Sequence, residues 1–199
     1  MKNVSLIVID PQVGFCSPSG SLGLSYGVQE LSEIEKVIPN IQSALRDSYR
    51  RHLVISEYAV GQFTNGDLEH PLANLCVPSL SEDCDVLYEF ASVHFDCLTT
   101  KHQQSAMFCA DFRSAIEHDL AIGIRHFVVA GFLLDHCVKS TAVDLKDSVS
   151  LNGIKVSVCS DLSATRLEKY NNGVVSETMD RLRSLGIQFE LWETVMGLK

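Results

Sequence analysis

The chain has 199 residues, 46% of them apolar and 21% charged, which suits one well-filled core and leaves too little for two. Its formal net charge of -9, with no basic run longer than Arg50-Arg51, excludes an electrostatic footprint for nucleic acid and favours a small-molecule partner. No stretch nears the roughly 18 apolar residues of a membrane span, and the apolar run Val4 to Ile9 is shorter than a secretory core of about 7 to 15 residues, so a cytoplasmic protein without a membrane partner is expected.

In chain order, Val4 to Ile9 is apolar except for Ser5 and stops at Asp10-Pro11, the pattern of a strand buried on both faces of a parallel sheet. A Gly/Ser/Pro-rich loop follows from Cys16 to Gly27, and Leu31, Ile34, Val37, Ile38, Ile41, Ala44 and Leu45 then recur at helical spacing. His52 to Ser56 reads as a second strand. The next forty or so residues are polar and poorly periodic, with a short strand expected at Val86 to Tyr88. Leu98 to Thr100 leads into Lys101, and a helix through Phe112, Ile116 and Leu120 closes at Gly123.

His126 to Ala130 is a strand ending at Gly131, followed by a helix expected to begin near Cys137 or Val138. A strand over Ile154 to Cys159, a helix over Gly173 to Ser184 and a strand over Ile187 to Leu191 complete the alternation. Strands alternating with helices predict a three-layer, Rossmann-like α/β fold: a mainly parallel sheet with helices on both faces and ligands at the carboxyl ends of the strands. Asp10, Glu57, Lys101, Gly131 and Asp161 are all expected at that rim.

The cysteines at 16, 76, 84, 97, 109, 137 and 159 form no Cys-x-x-Cys pair, so neither a disulfide framework nor a zinc knuckle is signalled. Cys137 is distinguished by following a buried strand at the expected start of a helix, where free N–H groups favour a thiolate. An ammonium such as Lys101 would favour it further, and a carboxylate such as Asp10 could take the thiol proton. His136 is excluded as that base because adjacent helical residues do not face each other. The other histidines, including His52, show no His-x-His or i, i+4 pair and read as surface or packing residues. The glycines at 20, 23 and 27 lack the spacing of a nucleotide loop.

Three segments, Leu6 to Phe15, Lys101 to Phe108 and Val128 to Val138 running on through Thr141-Ala142, together resemble the isochorismatase-like cysteine hydrolases, which include nicotinamidases and N-carbamoylsarcosine amidohydrolases. The likeness extends over about residues 4 to 165, within one hydrolase domain taken as 1–199. It implies a catalytic triad of Asp10 as base, Lys101 as the organising charge and Cys137 as nucleophile. It also implies an oxyanion hole from the Leu134 and Cys137 N–H groups, a cis peptide between Leu133 and Leu134, and substrate contacts from Phe15, Gln12, Tyr58 and Leu133. A dimer or tetramer would follow the family's habit.

Nicotinamidases carry a metal-binding Asp-x-His after the second strand, where this chain reads Glu57-Tyr58-Ala59. No metal and no cofactor are therefore expected, and the reading is a metal-independent hydrolase cleaving a C–N bond in a small amide, carbamoyl or ureido compound through a Cys137 thioester. The alternatives are a catalytically idle scaffold, nicotinamidase or isochorismatase activity proper, and a thiol sensor, which would need a resolving cysteine near the reactive one.

Overall fold

The fold is known from a computed structural model that describes residues 3–149 and 153–198; the remaining positions of the expected 1–199 domain lie outside the described residues. Its centre is β1 (Val4–Ile9), buried along its whole length as the apolar run requires. It is flanked by β2 (Arg50–Ser56) and β4 (His126–Gly131), and the sheet is completed by β3 (Cys97–Lys101), β5 (Lys155–Ser163) and β6 (Gln188–Glu190). The order is β3-β2-β1-β4-β5-β6, and every pairing is parallel.

Alternate residues of β1 serve opposite faces. Val4, Leu6 and Val8 pack with Ile34, Ile38 and Ile41 of helix α1 (Ser32–Asp47) and with Trp192 and Val195 of a short C-terminal helix. Ile7 and Ile9 face Phe112 and Ile116 of α2 (Ala110–Ala121), Leu145 of α3 (Lys139–Ser148) and Leu182 of α4 (Val174–Ser184). The result is the three-layer architecture read from the sequence. No helix of the described residues is long and apolar enough to cross a membrane.

The chain order reverses between β1 and β4, the switch point where ligands bind in such sheets. Gly131 closes β4 there with φ 107°, and a Cβ on it would meet the Ile9 carbonyl oxygen at 2.2 Å, so only glycine lets the two strand ends approach so closely.

Four local expectations are corrected. β5 continues to Ser163, so Asp161 lies inside the strand, where its carboxylate accepts from the Trp192 N–H at 3.0 and 3.3 Å. Val86 makes a single antiparallel bridge to Gln12 in place of a strand. The glycine-rich segment is not an open loop: Ser21–Tyr26 is helical, with Leu22 buried. The helix after β4 begins at Leu134 with a π-type turn, Leu134–Val138, so Cys137 is its fourth residue and not its first.

Candidate active site

Asp10 follows β1, Lys101 ends β3, and Cys137 sits in the π-type turn after β4. The parallel register brings the three together. Lys101 Nζ lies 2.9 Å from Asp10 Oδ2 and 3.3 Å from Cys137 Sγ. Asp10 and Lys101 are fully buried and Cys137 nearly so. Asp10 adopts φ 52°, a left-handed conformation that aspartate tolerates better than most residues.

Ser56, the register partner of Lys101, completes the centre. Its hydroxyl donates to Asp10 Oδ1 at 2.9 Å and lies 2.6 Å from the Tyr58 hydroxyl. Lys101 donates to Ser56 Oγ at 2.7 Å, Tyr58 Oη at 3.0 Å and the Gln103 carbonyl at 3.2 Å. An ammonium has three protons, so these acceptors, Asp10 and Cys137 compete for it and hold it fixed. Because Lys101 can only donate, the hydrogen bonds run from Lys101 through Tyr58 and Ser56 to Asp10.

Burial raises the Asp10 pKa above the ordinary carboxylate value, and the neighbouring Lys101 charge offsets part of that. Burial, the largest single effect, would neutralise Lys101, but the Asp10 charge together with the Cys137 and Tyr58 interactions outweighs it and keeps the ammonium protonated. Burial, followed by the Asp10 charge, pushes the Cys137 thiol up to about 12. The expectation of a thiolate stabilised by a helix start is therefore reversed at rest, because desolvation of a buried sulfur outweighs the turn's dipole.

Cys137 opens onto a cavity of about 280 Å³, at the small end of ligand sites. Phe15, Tyr58 and Leu133, which the resemblance gives as substrate contacts, are among the residues lining it. Gln12 does not: its amide is consumed by the Ser56 backbone, donating to the carbonyl at 3.0 Å and accepting from the N–H at 2.7 Å, and it also donates to the Cys84 carbonyl at 3.0 Å. Gln12 is a clamp between loops.

The oxyanion assignment also shifts. The Leu134 N–H donates to the Ala164 carbonyl at 2.9 Å and is not free for a ligand, and the cis peptide is Phe132–Leu133, not Leu133–Leu134. The Leu133 N–H has no such partner among the described residues.

The sequence reading missed Leu22, Tyr26, Phe63, Leu72, Leu75, Gln104, His136 and Arg166 as cavity residues. His136 is half exposed with Nε2 3.4 Å from Asp135 Oδ2. The Arg166 guanidinium stacks on the Tyr26 ring at 3.7 Å and meets Glu168 at 3.2 Å through Nη1. Helical periodicity was the available signal only for Leu22 and Tyr26; the others lie on turns. Among the described residues no three His, Cys, Asp or Glu side chains converge into a metal-ligand set, and Glu57-Tyr58-Ala59 offers a single carboxylate, with the Tyr58 hydroxyl engaged by Lys101. These residues do not fit a metal of the nicotinamidase kind.

The sequence matches the isochorismatase domain model over residues 4–180. An isochorismatase family protein from Desulfovibrio vulgaris has a similar structure, at 16% identity and TM-score 0.73, covering 100% of this chain and 98% of that one. A nicotinamidase/pyrazinamidase from Acinetobacter baumanii aligns at 17% identity and TM-score 0.73, covering 98% and 99%. A protein from L. infantum, solved in complex with nicotinate, aligns at 20% identity and TM-score 0.71, covering 94% and 92%. No curated protein sequence matches.

Proposed function

The chain belongs to the isochorismatase family of hydrolases, and from that premise we propose that it cleaves a C–N bond in a small amide, carbamoyl or ureido compound through a Cys137 thioester. The observation that carries the reading is Cys137 Sγ on the cavity wall, 3.3 Å from an ammonium that is itself 2.9 Å from the Asp10 carboxylate.

In this reading the thiol rests protonated, and its proton passes to Asp10 as sulfur attacks the carbonyl carbon. The negative charge developing on the carbonyl oxygen is met by the Cys137 N–H and, with Leu134 engaged elsewhere, by the Leu133 N–H. The intermediate collapses as Asp10 returns the proton to the departing nitrogen, leaving a thioester. Asp10, again a carboxylate, takes a proton from water attacking that thioester, and collapse expels Cys137 sulfur, which regains the proton. Lys101 keeps Asp10 ionised in a place where burial would otherwise protonate it. Arg166, the one permanently charged side chain among the cavity residues, supports a substrate whose far end carries an acceptor such as a carboxylate.

A panel of small amides and ureido acids tests this. Turnover of at least one member is expected, with a Cys137 acyl adduct trapped by acid quench and found by peptide mass spectrometry, and with lower KM for carboxylate-bearing members. Cys137→Ala should lower turnover at least about 10⁴-fold; undiminished turnover in that variant would remove the nucleophile.

A further inference from the structure

A second polar cluster lies at the other end of the same strands. His52 of β2 and Cys97 of β3 are paired in register, which in a parallel sheet sets their side chains next to each other on one face. His52 is fully buried, with its ring edge-on to Phe112 at 6.3 Å. Its Nε2 is 2.8 Å from Asp119 Oδ2, and Asp119 accepts from Ser5 Oγ at 2.7 Å and from Arg50 Nε at 2.9 Å. Asp119 is an acceptor in all three contacts, so Nε2 carries a proton in either charge state, and Nδ1 is the acceptor whenever the ring is neutral.

That Nδ1 atom is buried without a well-formed hydrogen bond. A buried imidazole nitrogen in such a position is costly unless it serves the group beside it, and the group beside it is the thiol of Cys97. Cys97 is partly exposed, with Thr99 Oγ1 at 3.8 Å from its sulfur. The charged groups around the pair are Asp119 behind the imidazole and Arg50, whose guanidinium also meets Asp96 at 3.1 Å. Carboxylate, imidazole and thiol in this sequence form the arrangement that activates a sulfur nucleophile.

We propose that Cys97, served by His52 and Asp119, is a thiol-exchange site that takes small-molecule disulfides. The Cys97 proton moves to His52 Nδ1, and the thiolate attacks one sulfur of the disulfide. The sulfur–sulfur bond of the reagent breaks, a new one forms to Cys97, and the other half leaves as a thiolate that picks up the proton. Cys97 is oxidised and the departing sulfur reduced, with no further oxidant. Contact with the exposed edge of one sulfur suffices, so no substrate cavity is needed. The imidazole also lowers the Cys97 pKa, its influence exceeding the opposing effect of burial, whereas burial raises those of Cys84 and Cys109, the other partly exposed cysteines.

Cystamine at low excess and pH 7, followed by peptide mass spectrometry over time, is the test. Cys97 is expected to form the mixed disulfide at least about tenfold faster than Cys84 or Cys109, with a pH–rate midpoint below the ordinary thiol value of about 8.5. His52→Gln should slow Cys97 about tenfold and raise that midpoint, while Cys97→Ser leaves hydrolysis unchanged. Should His52→Gln fail to fold, the wild-type comparison still decides. Cys97 reacting no faster than Cys84 and Cys109, or a midpoint at or above about 8.5, overturns the proposal.

Discussion

The two cysteine centres share one pair of strands and solve opposite problems. At the carboxyl ends, Ser56 and Lys101 are register partners; at the amino ends, His52 and Cys97 are. Four residues of extended chain, about 13 Å, separate them. Cys137 is nearly buried beside an ammonium–carboxylate pair and its thiol is pushed up to about 12, whereas Cys97 is partly exposed beside an imidazole and its thiol is pulled down. An ion pair that is already satisfied gives a buried sulfur little help at rest. A proton acceptor with nothing else to do on that side gives a half-exposed sulfur a great deal. Ease of thiolate formation and the proposed catalytic role are thus separate properties, the first favoured at Cys97 and the second proposed for Cys137.

The comparison breaks most visibly at Lys101. Lys101→Met leaves Asp10 buried without a counter-charge, which typically costs about 3 to 5 kcal/mol, read as a loss of urea-unfolding free energy at pH 7. Turnover should fall about 10² to 10⁴-fold because Asp10 then holds a proton. A variant as stable and active as the wild type would mean that the pair is decorative. A sharper contrast comes from alkylation of the free protein. With iodoacetamide at pH 7, Cys97 should be labelled at least about tenfold faster than Cys137, the order that their opposite shifts dictate; preferential labelling of Cys137 would show that Asp10 ionises it at rest.

The pH dependence of kcat/KM separates the centres again. As the proposed base, Asp10 would act only when deprotonated, and its pKa is raised, so activity should rise with pH through a midpoint above the ordinary carboxylate range of about 4. No limb from Cys137 is expected near neutrality, its thiol lying close to 12. A midpoint at or below about 4 would mean that Lys101 outweighs burial at Asp10.

How much of this was legible in the sequence follows from what kind of physics fixed each part. β1 and β4 are uninterrupted apolar runs, so their ends, and with them Asp10 and Gly131, could be placed to the residue. Lys101 was placed by the short strand before it. The cis peptide, which came from the resemblance and not from periodicity, lies one bond earlier, at Phe132–Leu133, and the Leu134 N–H is engaged by the Ala164 carbonyl. Gln12 was misread because its role depends on Ser56, 44 residues away. The segment between β2 and β3 was unreadable because turns and single side chains order it. Asp83, for example, ties the Ser21 N–H at 3.1 Å and the Cys76 N–H at 3.3 Å, and contacts of that kind leave no pattern along the chain. His52 read as packing for the same reason, its partner Asp119 being 67 positions distant.

That buried His52–Asp119 pair yields the smallest effect and a distinctive sign. The His52 pKa is raised: burial would lower it, but the interactions with Asp119 and Cys97 together prevail. A raised histidine contributes stability that is complete below its unfolded value of about 6.5 and is lost as pH climbs through the higher folded value. The Asp119 pKa is lowered, since burial is outweighed by its interactions with His52, Ser5 and Arg50 taken together, so its contribution is present above its unfolded value of about 4 and is lost as pH falls through the lower folded one. Both terms operate between those limits. His52→Gln should therefore cost about 1 to 3 kcal/mol at pH 5.5, and that cost should shrink as unfolding is repeated at pH 7 and pH 9. If the cost grew toward pH 9, the ring would be neutral already at pH 5.5, a hydrogen-bonded base behind the Cys97 thiol with no ion pair to Asp119 at any of these pH values.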